Sequence, residues 1–364
     1  MLALRWSMRF IGLFSTIILA RLLTPQDFGL VAMALVVLAI ADSATSLGVD
    51  LALIRHEGDA THLYNAAWTL RILQNLGLAI LLLIAAPFAV DYFHESRLEG
   101  IFRIYALRYV LLGFANIGPV EFRKNLEFSR EYRFLLTKKF VGFFLTVGLA
   151  IWLRDYRAIV YATLAKTIFG VCYSYVIHPY RPRLSTSGMK SILGFSQWVL
   201  VARLGGTLNE KGAQLIAGAA VSASTLGLYH ISVELATMFI NEVVMPARRS
   251  LIPNLSKSLG NRQQFIHHSI ISLSILGIVC IPIGVGVNIV ALELVELLFG
   301  PRWVDAVPLV ELLALLGIFL GTKLALTMIL LVAGDAKKNA VLDWLEVLIL
   351  IPLLTYVGSS GDIE

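Results

Sequence analysis

Arg21-Leu-Leu-Thr-Pro-Gln-Asp-Phe-Gly-Leu30 and Ala219-Ala-Val-Ser-Ala-Ser-Thr-Leu-Gly-Leu228 lie a constant 198 residues apart, and each is a short break between two long apolar runs. Phe28-Gly29-Leu30 matches Leu226-Gly227-Leu228, and the same offset lays Arg5 over Arg203. As a motif the match is weak. Its position gives it weight, because it pairs the first apolar run with the seventh and the second with the eighth. A unit of six spans is even in number, so both copies enter the membrane in the same direction. That is a parallel repeat about an axis along the membrane normal.

The composition requires a membrane. Of 364 residues, 58% are hydrophobic and 15% charged, with a mean hydropathy of +0.79. A soluble domain carries about 25% charged residues, and single soluble cores stop growing near ~250–300 residues. Disorder is excluded by the same figures. Ile72–Val90, Gly212–Val233 and Gln263–Leu292 contain no Asp, Glu, Lys or Arg, and about 20 apolar residues span a bilayer as a helix. The runs are continuous rather than alternating, which disfavours a β-barrel. The pattern predicts an all-α polytopic membrane protein with eleven helices, at 5–22, 29–54, 66–91, 101–121, 138–154, 157–178, 192–218, 224–248, 267–292, 307–333 and 339–357. These form two parallel-repeat bundles around a central cavity: a six-helix lobe over 1–180, a linker over 181–191 and a five-helix lobe over 192–364. The first run lacks a small-residue cleavage site and reads as a span rather than a signal peptide.

With the N-terminus in the cytoplasm, nineteen of the 30 Lys and Arg residues fall on the cytoplasmic face, six on the other and five within spans. The positive-inside rule therefore predicts N-in. Arg71, Lys138 and Lys139 are counted as cytoplasmic, and Arg108, Lys166, Arg203, Lys211 and Lys323 as intramembrane. The net charge of +6 then faces anionic lipid and argues for membrane lipids as partners, not nucleic acid. The longest loops are Phe122–Thr137, His178–Ser191 and Arg249–Ile266; the latter two are long enough for amphipathic interfacial helices. Cys172 and Cys280 read as lone packed thiols. Nucleophile triads, phosphate loops and metal-ligand spacings are absent, so no catalytic residue, metal or cofactor is expected; His267-His268 reads as a solvated helix start. Gly284-Val-Gly286 beside Pro282 reads as a flexible break in the ninth helix. The tryptophans, Trp303 among them, mostly fall near span ends, as interfacial belts do.

Ile18-Leu-Ala-Arg-Leu-Leu-Thr-Pro-Gln-Asp-Phe-Gly-Leu-Val-Ala-Met33 resembles the first-to-second helix junction of the Wzx-like oligosaccharide flippases. These form the polysaccharide transport branch of the multidrug/oligosaccharidyl-lipid/polysaccharide exporter superfamily. Pro119-Val-Glu-Phe-Arg-Lys-Asn-Leu-Glu-Phe128, Ser224-Thr-Leu-Gly-Leu-Tyr229 and Pro246-Ala-Arg-Arg-Ser-Leu-Ile-Pro253 are similar to further family segments. The resemblance implies a bacterial inner-membrane flippase. It would carry a lipid-linked oligosaccharide (a polyprenyl-pyrophosphate sugar) from the cytoplasmic to the outer leaflet. Lipopolysaccharide, capsule or exopolysaccharide synthesis would use it, with H+ or Na+ as coupling ion and a polysaccharide polymerase or chain-length protein as partner. It also implies twelve to fourteen helices, so the second lobe is expected to stop one helix short at Gly358-Ser-Ser-Gly-Asp-Ile-Glu364.

Charges within a bilayer should face protein or water, so their stripes mark the path. The seventh helix carries Arg203, Thr207, Glu210 and Gln214 on one face, with Lys211 beside it. The eighth carries His230, Glu234, Thr237 and Asn241, with Glu242 adjacent. Asp42, Ser46 and Asp50 stripe the second helix, and Arg5, Arg9, Gly12 and Thr16 the first. Given the implied substrate, Arg203, Lys211, Thr207, Gln214, Arg5 and Lys166 are the expected phosphate and sugar ligands. Glu210, Glu234, Asp42, Asp50 and Asn241 are the expected ion-coupling residues. The bland alternative is mutual neutralisation, Glu210 against Arg203 above all. Alternative functions are a cation-coupled drug exporter, an inactive truncated paralogue, or an integral polymerase or ligase; short outer loops disfavour the last.

Overall fold

The computed structural model describes residues 2–45, 53, 61–187 and 189–335, and nine positions between 338 and 352. Among these residues every regular element is helical. The first lobe consists of α1 (Leu2–Leu22), α2 (Pro25–Thr45), α3 (Thr61–Phe93), α4 (Arg97–Gly113), the short α5 (Val120–Lys124), α6 (Phe128–Leu153) and α7 (Arg157–Ile177). The second consists of α8 (Met189–Ala220), α9 (Ala223–Lys257), α10 (Arg262–Ile289), α11 (Ala291–Leu298), a 3-10 turn (Pro301–Ala306) and α12 (Val307–Val332). Six described helical stretches are long and apolar enough to cross a membrane: Pro25–Ser43, Leu63–Phe93, Phe128–Leu153, Arg157–Ile177, Arg262–Ile289 and Pro301–Val332. The predicted helix at 339–357 lies largely outside the described residues, as does Asp50.

The break at Thr24-Pro-Gln-Asp27 is a helix start written in side chains. The Asp27 carboxylate accepts from the Thr24 N–H at 2.9 Å and the Thr24 hydroxyl at 2.7 Å, while the Asp27 N–H donates to Thr24 Oγ1 at 3.3 Å. This is a reciprocal capping box with proline in the first turn, where its missing N–H costs nothing. The second Asp27 oxygen accepts from the Tyr156 N–H at 3.0 Å, which ties the α6–α7 turn to the same point. In the second copy Ser222 caps α9, accepting from the Thr225 N–H at 3.2 Å.

These two starts meet. A Cβ on Gly29 would lie 1.6 Å from the Ala223 carbonyl oxygen, and one on Gly227 would lie 1.9 Å from the Pro25 carbonyl oxygen. Only glycine admits so close a backbone approach. The lobes are joined along this seam by α2 against α8 and α9, and by α3 against α8. Ala223 and Leu226 are buried in the first lobe's own core. Trp303 is fully buried, its ring edge-on to Phe28 and its Nε1 donating to the Ala20 carbonyl at 2.8 Å. Here the belt reading fails: the 3-10 turn folds the indole inward, where Ala20 satisfies its N–H.

Three further expectations are corrected. α10 runs unbroken through Pro282, and Gly284 seats the helix on α12, where a Cβ would lie 2.8 Å from the Ala314 carbonyl oxygen; it is a contact, not a break. The 249–266 loop is mostly helix, with only Ser258–Asn261 between α9 and α10 and Asn261 capping α10. The 178–187 stretch is extended rather than an interfacial helix. It is held along α3 by Tyr180 OH and Arg183 N–H donating to Asn65 Oδ1, and by Ser185 N–H donating to Thr69 Oγ1.

Candidate functional site: a basic cavity in the first lobe

α6 begins at Phe128, ten residues before Lys138, and α3 begins at Thr61, ten residues before Arg71. At 1.5 Å per residue each cation sits about 15 Å along its helix from the first residue, and both are partly buried. Arg71, Arg108, Lys138, Lys139 and Lys166 line one cavity of about 720 Å³, with Arg123 at its rim. It lies in the half of the lobe away from the glycine seam. Glu131 is the acid that lines it, and Glu131 is engaged by Arg123 at 3.0 Å. A side chamber of about 90 Å³ extends past Lys138, Lys139 and Lys166 to Ile11 and Ser15 of α1.

The two helices that carry the lysines repeat one spacing. Lys138 precedes Gly142 by four residues on α6, and Lys166 precedes Gly170 by four on the antiparallel α7. A Cβ on Gly142 would lie 2.7 Å from Lys166 Cδ, and one on Gly170 would lie 3.1 Å from Lys138 Cε. Each lysine stem thus lies in the notch left by the partner helix's glycine, one turn from the other lysine. Lys138 also places its ammonium 4.8 Å from the centre of the Phe134 ring. Arg108 stacks over Tyr109 at 4.9 Å, beside Asp42 of α2. A guanidinium on an aromatic face keeps its charge while its stem stays in apolar surroundings.

At the rim, Asn116 gathers three carbonyls. Its amide donates to Ser174, His178 and Tyr180 oxygens at 3.3, 3.5 and 2.8 Å, and its own oxygen accepts from the Gly118 N–H at 2.9 Å. His178 completes the rim at 2.9 Å from Glu121.

Of the residues expected from sequence, Lys166 is in the cavity. Asp42 and Glu234 stand at its margins: Asp42 near Arg108 and Tyr109, Glu234 near Thr16, Arg9 and Lys139. Arg9 bridges the lobes to Glu242 at 3.1 Å. On α8, Glu210 is exposed at the surface of the bundle and pairs with Lys211 at 3.1 Å. Thr207 is half-buried. Gln214 is buried, its amide 3.3 Å from His230 Nδ1, so it serves the α8–α9 contact. The side chains of Arg5, Arg203 and Asn241 lie outside the described residues. Arg71, Arg108, Lys138 and Lys139 were not expected here. A missed signal was available, the doubled Lys-x-x-x-Gly. The predicted boundaries, starting the helices at 66 and 138, moved Arg71 and Lys138 toward the surface.

Two helical bundles meeting at a pseudo-twofold seam, one of them holding a basic cavity, define a polytopic, membrane-type helical fold. It is similar to a multidrug resistance MATE family transporter of the MOP superfamily in an inward-facing conformation, with a TM-score of 0.75 at 14% identity over 94% of this chain and 84% of that one. It is similar also to the lipid II flippase MurJ in an inward closed conformation, with a TM-score of 0.75 at 11% identity over 99% and 84%. The chain belongs to the polysaccharide biosynthesis protein family, whose model matches residues 18–308. Its relatives include an uncharacterized membrane protein in the cps region of Klebsiella pneumoniae (22% identical, over 95% of this chain and 72% of the relative). Others are the lipopolysaccharide biosynthesis protein WzxC of Escherichia coli (24%, over 85% and 63%) and the teichuronic acid biosynthesis protein TuaB of Bacillus subtilis (22%, over 76% and 58%). The chain thus spans between 58% and 72% of the length of these relatives.

Proposed function

We propose that this chain moves a polyprenyl-pyrophosphate-linked oligosaccharide from the cytoplasmic to the outer leaflet of a bacterial inner membrane, with its N-terminus cytoplasmic. The observation that carries this reading is the cavity of five basic side chains within the helical bundle, with its lining acid already engaged. Such a site attracts an anionic head group and repels a cationic drug. In the proposed orientation the glycine seam closes the outer side, and the cavity receives its cargo from the cytoplasmic side. Lys139, Lys166 and Arg108 hold the phosphates: Lys as point charges, Arg as a fork. Thr207 and Lys211 are assigned to the path between the lobes, and Gln214 steadies α8 through His230. Glu234 and Asp42, each beside a cation of the cavity, take up the coupling H+ or Na+ as the cargo leaves.

The test is rescue of surface polysaccharide in a strain lacking its own flippase. The chain restores it, and Lys139→Gln with Lys166→Gln lowers rescue about tenfold or more at equal membrane abundance, the scale of a lost charge-assisted contact. Undiminished rescue by the double variant overturns the proposal.

A further inference from the structure

We infer that α11 and the 3-10 turn form a one-sided latch: they hold the seam end of the two lobes shut, and the lobes part there only when the Trp303 indole leaves its seat against α1. This goes beyond the translocation reading and does not depend on what is carried.

The latch is built from exchanged helix caps. α1 ends at Leu22, so the Ala20 carbonyl is among the four that a helix end leaves without a partner. In a longer helix the Thr24 N–H would bond it, but Thr24 donates to Asp27 instead. The carbonyl is met from the other lobe, by Trp303 Nε1. The exchange is mutual. α11 ends at Leu298, and the carbonyls of Leu297 and Leu298 accept from the Arg21 guanidinium, the latter at 3.2 Å. Each lobe thus supplies the side chain that caps a helix of the other. Arg21 is exposed, so its contacts contribute less than those of the fully buried indole.

Two further observations set the latch apart from the symmetric seam. The connection from α3 to α4 spans only 94–96, whereas its second-lobe counterpart, from α10 to α12, spans 290–306. That extra chain supplies α11 and Trp303, so the glycine contact is made twice and the indole contact once. The apolar packing is shared at this end as well. Leu19, Leu23 and Phe28 of the first lobe form one buried cluster with Val295, Phe299 and Trp303 of the second. Near the start of α3, by contrast, Leu63 and Leu70 cluster with Ile117 of their own lobe. Late in α9, Val244 clusters with Leu276 and Ala325 of its own. Parting the lobes at the seam end therefore uncovers a large aromatic ring and strips a buried carbonyl of its donor.

Spin labels test this on the full chain in nanodiscs, in a Cys172→Ala, Cys280→Ala background and without cargo. One pair, on the exposed Gln26 and Glu296, reports the seam end; a second, on the exposed Arg133 and Lys257, reports the other end of the lobes. Trp303→Phe with Arg21→Ala raises the ratio of long to short Gln26–Glu296 distances about tenfold, the scale of a buried acceptor left unmet. The Arg133–Lys257 distance shortens in the same share of molecules, because the lobes move as bodies. Arg21→Ala alone, a change of an exposed side chain, raises the ratio about two- to threefold and decides the question should the buried substitution prevent folding. Unchanged distances in the variants that fold overturn the inference. A longer seam distance with the far pair unmoved means that α11 has come loose locally, and that overturns it too. With no cargo present, none of these results bears on the translocation reading.

Discussion

Gly29 and Gly227 are each other's image across the lobe interface. The backbone that Gly29 would strike with a side chain is that of Ala223, and the backbone that Gly227 would strike is that of Pro25. Both pairs are related by the offset of the sequence repeat. The seam is therefore a homodimer-like, isologous contact inside one chain, made by the same surface twice. Gly29→Ala forces the α2 and α9 starts apart, because carbonyl oxygens on a capped helix start cannot give way as a flexible side chain would; overpacking of this kind costs about 1–3 kcal/mol. Spin labels at Gln26 and Thr225, which flank the seam and are exposed, should report a longer distance in Gly29→Ala. An unchanged distance distribution would show that the seam tolerates a methyl group.

Gly142 provides the notch in which Lys166 lies. Gly142→Leu should displace the lysine stem and reduce transport as strongly as Lys166→Gln. Gly148→Leu, six residues along the same helix where nothing lies within 4 Å, serves as the control and should transport normally. Equal activity of both leucine variants would separate the notch from the lysine's task.

Arg9 and Glu242 join α1 to α9 at 3.1 Å. Both are partly exposed, so their worth is modest, and the informative measurement is a double-mutant cycle. Arg9→Glu and Glu242→Arg should each lower transport several-fold. The combined charge swap should recover at least half of the loss, a coupling of about 0.5–1 kcal/mol. Additive losses in the swap would mean that the pair does not act as a unit.

Asp27 serves two structures at once, the cap of α2 and the Tyr156 N–H of the α6–α7 turn. Asp27→Ala removes a cap worth about 0.5–2 kcal/mol and leaves the half-buried Tyr156 N–H without its acceptor, at a further ~1 kcal/mol. The thermal midpoint in detergent should fall by several degrees. A midpoint within one degree or so of wild type would contradict the assignment.

Glu95, in the α3–α4 turn, receives both guanidinium contacts of Arg97 at 2.7 Å, and that hydrogen bonding holds its carboxyl below the ordinary carboxylate range. A depressed value in the folded state means that the contribution is present above the unfolded value near ~4.3 and is lost as pH falls through the folded one. Glu95→Gln should therefore flatten part of the acid-side fall in thermal midpoint while lowering stability at neutral pH. Parallel pH curves for wild type and variant would exclude this pair as the source.

By itself the sequence determined whatever depends on composition and spacing. Continuous apolar runs forced helices and a bilayer, because a lone backbone in hydrocarbon must bond to itself. Thr24-Pro-Gln-Asp27 determined where α2 begins, since a capping box is a local hydrogen-bond pattern. The 198-residue offset related the lobes before any contact between them was known. Only tertiary structure brought the residues of the candidate cavity together. In the polar stripe of α8, packing sets Gln214 against His230 and Glu210 against Lys211, which periodicity alone did not show. Lys138, Lys139 and Arg71 looked like surface anchors until helices beginning at Phe128 and Thr61 carried them inward. Periodicity shows which residues share a face, but which faces meet, and how deep a helix starts, follows from packing between distant segments. That packing set the glycine notches of α6 and α7 against the lysines of the facing helix.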